Sequence, residues 1–293
     1  MDGFALTAAE RDDEADTTPF VITSPHPGVT PAPLIFATPH SGRIYPTSLM
    51  SATRLDAETI RRSEDAYVDS LIAGGPAHGA TVIAARMARA WFDVNRAPWE
   101  LDASMFEDEL PAYARGRTAK VAAGLGSIAR IVGDGQEIYL RKLTFAEALA
   151  RVESVHQPYH AALAELLTTT HRRHGAVVLI DWHSMPSAAV GAGCDMVLGD
   201  RFGGACGPAA PRLAESVLRQ RGYSVSRNAP YAGGYTTEHY GRPQRGVHAL
   251  QIEINRALYM DERTLELTPG FAQLKADLET LFAALAAENW AVR

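Results

Sequence analysis

His40 and His183 each follow a short apolar run, Leu34-Ile35-Phe36-Ala37-Thr38 before Pro39-His40 and Val177-Val178-Leu179-Ile180 before Asp181-Trp182-His183. Continuous runs of this kind read as strands buried on both faces of an α/β sheet. In such sheets ligands gather beyond the carboxyl ends of the strands. Two imidazoles converging there have the chemistry of a metal site. A third apolar strand, Val247 to Ile254, carries Glu253. An ionised carboxylate inside an apolar strand costs on the order of several kcal/mol unless it is paired or functional. Glu253 is therefore the candidate base for metal-assisted hydrolysis.

A hydrolytic zinc ion wants three protein ligands from histidine and carboxylate, leaving one position for water. His40 and His183 supply two. The third is sought in Ser63-Glu64-Asp65-Ala66-Tyr67-Val68-Asp69. Ser63 can cap a helix there, with Glu64 and Asp65 in its first turn. Asp65 or Glu64 is the expected ligand, with Asp69 one turn further along the same face. Asp181 is placed to hold the second ring nitrogen of His183. Asn95-Arg96 follows the strand candidate Trp91 to Val94, and the same pair recurs as Asn255-Arg256 after Glu253. A guanidinium binds a carboxylate through two hydrogen bonds, so Arg96 points to an acidic substrate.

Other spacings invite chemistry and fail on their surroundings. His156 and His160 have the i, i+4 spacing of a zinc-protease helix, but Gln157 stands where the catalytic Glu would be and Pro158 spoils the helix. His171 and His174 lie in a basic turn. Gly124-Leu125-Gly126-Ser127-Ile128-Ala129 matches a dinucleotide fingerprint only loosely, with no strand before it. Neither a P-loop nor a Gly-x-Ser-x-Gly elbow occurs. A two-metal ureohydrolase needs Asp-x-His-x-Asp, and here Asp181-Trp182-His183-Ser184-Met185 lacks the final acid.

The elements that must carry these residues alternate. Strands are expected at Leu34 to Thr38, Thr81 to Ala85, Trp91 to Val94, Ala176 to Ile180, Asp195 to Leu198, Tyr223 to Arg227 and Val247 to Ile254. Apolar positions recur at three and four from Phe145 to Leu167, where Pro158 should kink or split the helix. Leu213, Val217 and Leu218 mark a second helix, ended by Gly222. Thr268-Pro269 opens a C-terminal helix with Phe271, Leu274, Leu278, Leu281 and Leu285 on one face. Alternation of this kind predicts a three-layer α/β sandwich, a mixed and mostly parallel sheet between helices. Glu100 to about Tyr139 fits neither period and reads as a long functional excursion.

At 293 residues and 46% hydrophobic content the chain can bury a large core. The acidic stretch 1–18 reads as a mobile tail and 19–293 as a single domain. A net charge of −6 gives no reason to expect nucleic acid or an anionic membrane as partner. No run is long enough to span a bilayer, and no secretory signal opens the chain. Cys194 and Cys206 cannot build a disulfide framework or a thiolate zinc site, so a reduced, cytoplasmic setting is expected. The expected partner is a small acidic molecule, and the expected state a monomer or small homo-oligomer.

Pro39-His40-Ser41-Gly42, Glu64-Asp65 with Asp69, Asp93-Val94-Asn95-Arg96, Asp181-Trp182-His183-Ser184-Met185, Gly233-Gly234-Tyr235-Thr236-Thr237-Glu238-His239-Tyr240-Gly241 and the strand with Glu253 occur in one order from about residue 20 to 265. Together they resemble the N-formylglutamate amidohydrolases. The resemblance implies a fold like the zinc carboxypeptidases, one catalytic Zn2+, and hydrolysis of N-formyl-L-glutamate to formate and glutamate. It implies His40, Asp65 (or Glu64) and His183 as ligands, Glu253 as base and Arg96 as carboxylate clamp. A polar donor such as His239 would help to hold the oxyanion. Arg43, Arg141 and Arg256 are candidates for a second substrate carboxylate. The alternatives are hydrolysis of another N-acyl amino acid or small peptide on the same fold, or a non-catalytic binder of such molecules.

Overall fold

The computed structural model describes residues 18–133, 135–191 and 193–290. The acidic stretch expected as a tail lies outside the described residues apart from Thr18. Contacts divide the chain into two compact units. One comprises 18–21, Pro39–Glu64 and Ala85–Ala161; the other comprises Ile22–Thr38, 65–84 and 162–290.

The strands are β1 (Phe20–Thr23), β2 (Leu34–Thr38), β3 (Thr81–Ala85), β4 (Val177–Met185), β5 (Met196–Gly199), β6 (Val225–Arg227) and β7 (Val247–Asn255). They form one seven-stranded mixed sheet in the order β1-β3-β2-β4-β7-β5-β6. β2 pairs in parallel with β3 and β4, β4 with β7, and β5 with β6, while β5 runs antiparallel to β7. The fold is thus mixed α/β and mostly parallel, as the alternating pattern predicts. Two differences from the expected strands matter. β4 does not stop at Ile180 but continues through Asp181, Trp182 and His183 to Met185. Trp91 to Val94 is not a strand, because Asp93 accepts the backbone N–H of Asn95 and turns the chain. β1, an edge strand exposed along most of its length, has no buried face and so no burial pattern to betray it.

Side chains alternate across a strand, and here the two faces do different work. Val178, Ile180 and Trp182 of β4 join Leu34, Phe36, Leu250, Ile252 and Ile254 in a buried apolar cluster. Helices Val68–Leu71, Ala209–Gln220 and Gly270–Ala287 cover it. Phe36, Trp182 and Phe282 meet with centroids 5.0 to 5.7 Å apart. Each such fully buried side chain contributes roughly 1.5–3 kcal/mol. The intervening residues of β4 face the other way: Val177 and Leu179 first, then Asp181 and His183. That second face thus changes from apolar to ionisable towards the carboxyl end of the strand.

Caps set the helix ends. Ala209–Gln220 stops before Gly222, which takes φ 92° as a left-handed residue after a helix does. The C-terminal helix begins at Gly270 with Pro269 as its cap residue, one position later than the sequence suggests. Thr144 and Glu147 form a reciprocal capping box before Phe145–Arg151. Pro158 is the second residue of the α-helix Gln157–His174, and the helical run is broken just before it. A π-turn at Val152–His156 precedes it, Gln157 donating to the Val152 carbonyl, and the helix continues to His174. The wider turn gives room where the proline ring would meet the preceding carbonyl. The stretch from Glu100 to Tyr139 holds only single turns, Ala103–Met105, Ala112–Ala114 and Ala119–Ala122, among isolated bridges.

Candidate active site

In the first unit His40 lies just past β2 and is 3% exposed. Its Nε2 is 2.7 Å from Asp93 Oδ1. The same carboxylate accepts from Arg89 (2.7 Å) and from the Asn95 backbone N–H (2.8 Å). Burial alone would raise the pKa of Asp93, but His40, then Arg89 and Arg96, outweigh it and hold it well below the ordinary value. The ion is thus kept as an anchor for the imidazole at Nε2. Asp93 is the residue that sequence reasoning missed. It stands in a quoted motif, but its partner lies 53 residues away and nothing local announces the pairing.

Arg96, in the same loop, is half-buried and donates from Nε to the Leu125 carbonyl (3.1 Å). Asn95 is buried beside it. Ser127 accepts the Asp93 N–H (2.8 Å), so the irregular 100–139 stretch fixes the loop that carries Asp93, Asn95 and Arg96. Arg43 is half-buried near Tyr45. Arg141 is exposed and doubly bonded to Glu147, so its guanidinium completes a helix cap. Glu64 is buried and already engaged, accepting from Tyr45 Oη (2.6 Å) and Arg61 Nε (3.0 Å). Burial and then Glu64 push the Tyr45 phenol well up, so it remains a donor.

In the second unit His183 is held on both nitrogens. Nε2 lies 3.1 Å from Asp181 Oδ2 and Nδ1 lies 3.0 Å from Asp65 Oδ2. Asp181 thus lies within ion-pair distance of the ring on the same strand face. Burial opposes charge on His183, but Asp181, then Asp65 and Glu253, overcome it and raise its pKa well above the usual range. A buried nest of carboxylates is calling for a cation at that ring. Arg256 answers part of that demand, donating from Nη2 to Asp65 Oδ1 (3.0 Å) and from Nε to Ser184 Oγ (3.1 Å). The structure thus gives Arg256 to Asp65 and not to a substrate carboxylate. Asp65 and Asp69 do not share a helix face either. Glu64 and Asp65 lie outside the helix, and Tyr67, left-handed at φ 64°, separates them from Val68–Leu71. Asp69 accepts from the Ser70 backbone N–H.

Glu253 is the register partner of His183 across the parallel β4–β7 pair, so the two side chains share a face. It is 7% exposed, and its Oε1 accepts from Gln251 Nε2 at 2.7 Å. Gln251 Oε1 in turn accepts the Gly234 N–H (2.7 Å), which fixes the direction of the amide. His239 is not brought to this group. It is exposed, stacks on Tyr235, and lines a cavity of about 310 Å³ with His171, Tyr240 and Val247. Val247 is the opposite end of β7 from Glu253, roughly 20 Å away at about 3.3 Å per residue. The helix Tyr235–Tyr240 starts beside Gln251, where Gly234 donates to it, and His239 lies near its other end, on the side of Val247.

His40, Asp65 and His183 are all buried, and in the second unit Asp65 Oδ2 lies 3.0 Å from His183 Nδ1. Two imidazoles and one carboxylate are the donor set of a hydrolytic zinc site, and both rings have Nε2 on an aspartate, as metal-bound histidines do. The residues fit a metal ion. Among the described residues, no helix is long and apolar enough to cross a membrane.

A family model for N-formylglutamate amidohydrolase matches residues 32–260. An N-formylglutamate deformylase of Pseudomonas aeruginosa is 29% identical over 252 residues, 84% of this chain and 83% of that protein. One of Pseudomonas putida is 28% identical over 237 residues, 78% of this chain and 82% of that protein. The crystal structure of an N-formylglutamate amidohydrolase from Ralstonia eutropha JMP134 superposes with a TM-score of 0.86 at 38% identity, covering 92% of this chain and 97% of that one. A gene product of Agrobacterium tumefaciens, 17% identical with a TM-score of 0.63 over 93% of this chain and 95% of that one, shares the fold. The chain belongs to the N-formylglutamate amidohydrolase family.

Proposed function

We propose that the chain hydrolyses the amide of N-formyl-L-glutamate to formate and L-glutamate, with one Zn2+ held by His40, Asp65 and His183. The observation that carries the reading is the partnership of Glu253 with His183. It sets a buried carboxylate, steered by Gln251, on the same sheet face as a histidine that is a candidate metal ligand. The family and the deformylase relatives point to the same reaction.

Zinc, when bound, would lower the pKa of a coordinated water towards ~7 and polarise the formyl carbonyl. Asp93 and Asp181 bond Nε2 of the two histidines, so Nδ1 is the atom each ring would offer to the metal. Arg256 holds the second oxygen of Asp65 and so restricts how that carboxylate can turn. Glu253 takes a proton from the attacking water as its oxygen bonds to the formyl carbon. The C–N bond then breaks and Glu253 gives that proton to the leaving amine, so the base is regenerated within one turnover. Arg96, with Asn95 beside it, binds a carboxylate of the substrate by paired charge-assisted hydrogen bonds.

Formate release from N-formylglutamate, assayed with metal analysis of the purified chain, tests this. Stoichiometric zinc with formate production supports it. Full activity in chelator-treated, metal-free protein sinks the metal, and zinc-loaded protein that releases nothing from any N-acyl amino acid leaves a binder.

A further inference from the structure

His156 and His160 are absorbed neither by the metal site nor by the base. Their rings lie 4.2 Å apart at 37° on the helix that the π-turn Val152–His156 reshapes. His156 Nε2 is 3.1 Å from the Arg96 carbonyl oxygen, and His160 Nε2 is 2.8 Å from that of Val94. A carbonyl only accepts, so both Nε2 atoms carry a hydrogen and donate it. Phe92 meets His156 edge-on at 5.8 Å and Tyr159 meets His160 at 5.3 Å, which removes rotamer freedom from both rings.

The loop they grip has two differently held parts. Asp93 is secured by His40, Arg89 and the Ser127 backbone. Val94 to Arg96 carry the two carbonyls that the histidines hold. A π-turn is a costly irregularity that recurs at functional sites, and here its outcome is to bring His156 into line with Arg96. We infer that His156 and His160 are positioning residues, a paired imidazole clamp that sets the Arg96 guanidinium for a substrate carboxylate. This rests on the reading of Arg96 as the carboxylate clamp of an N-formylglutamate hydrolase. The zinc-protease spacing of the two histidines thus serves loop geometry rather than a metal.

The test separates the clamp from the reaction by reading binding without turnover. In a zinc-loaded Glu253→Gln background, the Kd for N-formylglutamate is measured by calorimetry with His156→Phe, His160→Phe, His156→Gln and His160→Gln added singly. Phe keeps a flat ring and loses the donor; Gln keeps an N–H near the Nε2 position. The Phe variants are expected to weaken binding about tenfold or more, the scale of one lost hydrogen bond, with zinc content unchanged. The Gln variants should stay within about threefold of the parent. Folded Phe variants that bind as tightly as the parent, even with a lowered Tm, overturn the clamp. If His156→Phe does not fold, the half-buried His160 decides the matter. A wild-type chain that binds N-formylglutamate without releasing formate overturns the reaction alone. One that does not bind it at all overturns both.

Discussion

His183 on β4 and Glu253 on β7 are direct partners in the parallel pairing of two central strands, about 4.8 Å apart across the sheet. The candidate base and a candidate metal ligand therefore sit on rigid backbone, not on loops, and cannot drift apart without breaking the ladder. Glu253→Gln keeps the shape and the bond to Gln251 while removing the proton acceptor. It should retain zinc and lose about 10²–10⁴ in kcat, with KM little changed. Steady-state kinetics with metal analysis checks this, and kcat within tenfold of wild type would remove Glu253 from the base role.

His40 and His183 are each anchored through Nε2 by an aspartate, Asp93 at 2.7 Å and Asp181 at 3.1 Å. Such partners fix ring orientation and raise ligand basicity. Asp93→Asn and Asp181→Asn should each weaken zinc binding about 10–100-fold, measured by competition against a chromophoric chelator. An unchanged affinity in both variants would leave the aspartates with a purely structural role.

The adjacent acids Glu64 and Asp65 are separated by their partners. Tyr45 and Arg61 hold Glu64, whereas Asp65 reaches His183 and Arg256. Asp65→Asn should bring zinc content well below one per chain under dialysis, and Glu64→Gln should keep it. The reverse pattern would exchange the two residues.

The parts of this site that could be read from sequence are those encoded locally. β2, β4 and β7 announce themselves as apolar runs, and His40, His183 and Glu253 inherit their placement from them. Asp181 was readable as the partner of His183 because the two stand two apart on one strand face. Three things were not. The polar end of β4 hid the strand's continuation, since a buried ionisable face has no hydrophobic signature. The choice between Glu64 and Asp65 depended on Tyr67, whose left-handed backbone breaks the expected helix. His239 shares a motif with Gly234, yet Gly234 meets Gln251 near Glu253 while His239, one helical turn on, lies towards Val247 at the start of β7.

The Thr144–Glu147 box offers a pH-dependent stability test away from the metal. Bonds from Arg141 first, then the Thr144 backbone, hold Glu147 down at about 2, against an ordinary 4.5. A depressed carboxylate stabilises the fold above its unfolded pKa, and that contribution is lost as pH falls through the folded one. With Arg141 exposed and screened, and with Gln able to keep the cap, what the ionised carboxylate adds at the helix N-terminus is about 0.3–1 kcal/mol. In metal-free protein Glu147→Gln should lower Tm by about 1–3 °C above pH 5, the gap closing towards pH 2. A gap that does not change with pH would mean that ionisation of Glu147 is irrelevant to the cap.

Gly42 stands two residues after His40, against the backbone of Arg86 and Met87. A Cβ there would run into the Met87 carbonyl oxygen and the Arg86 carbonyl group, none of which can rotate aside as a side chain would. The two segments are also laced together, Ile44 N–H to Arg86 O (2.9 Å) and Ala88 N–H to Ile44 O (3.0 Å). Gly42→Ala must therefore part the strands of this contact and carry His40 away from Asp93. The expected result is a loss of about 1–3 kcal/mol in stability and a zinc affinity lowered about tenfold or more. Gly133→Ala, where the added carbon meets only the Arg62 carbonyl oxygen at 3.7 Å, is the control and should change neither. Thermal unfolding and chelator competition on both variants decide it: equal zinc affinity in Gly42→Ala and wild type would show that His40 does not depend on this close approach.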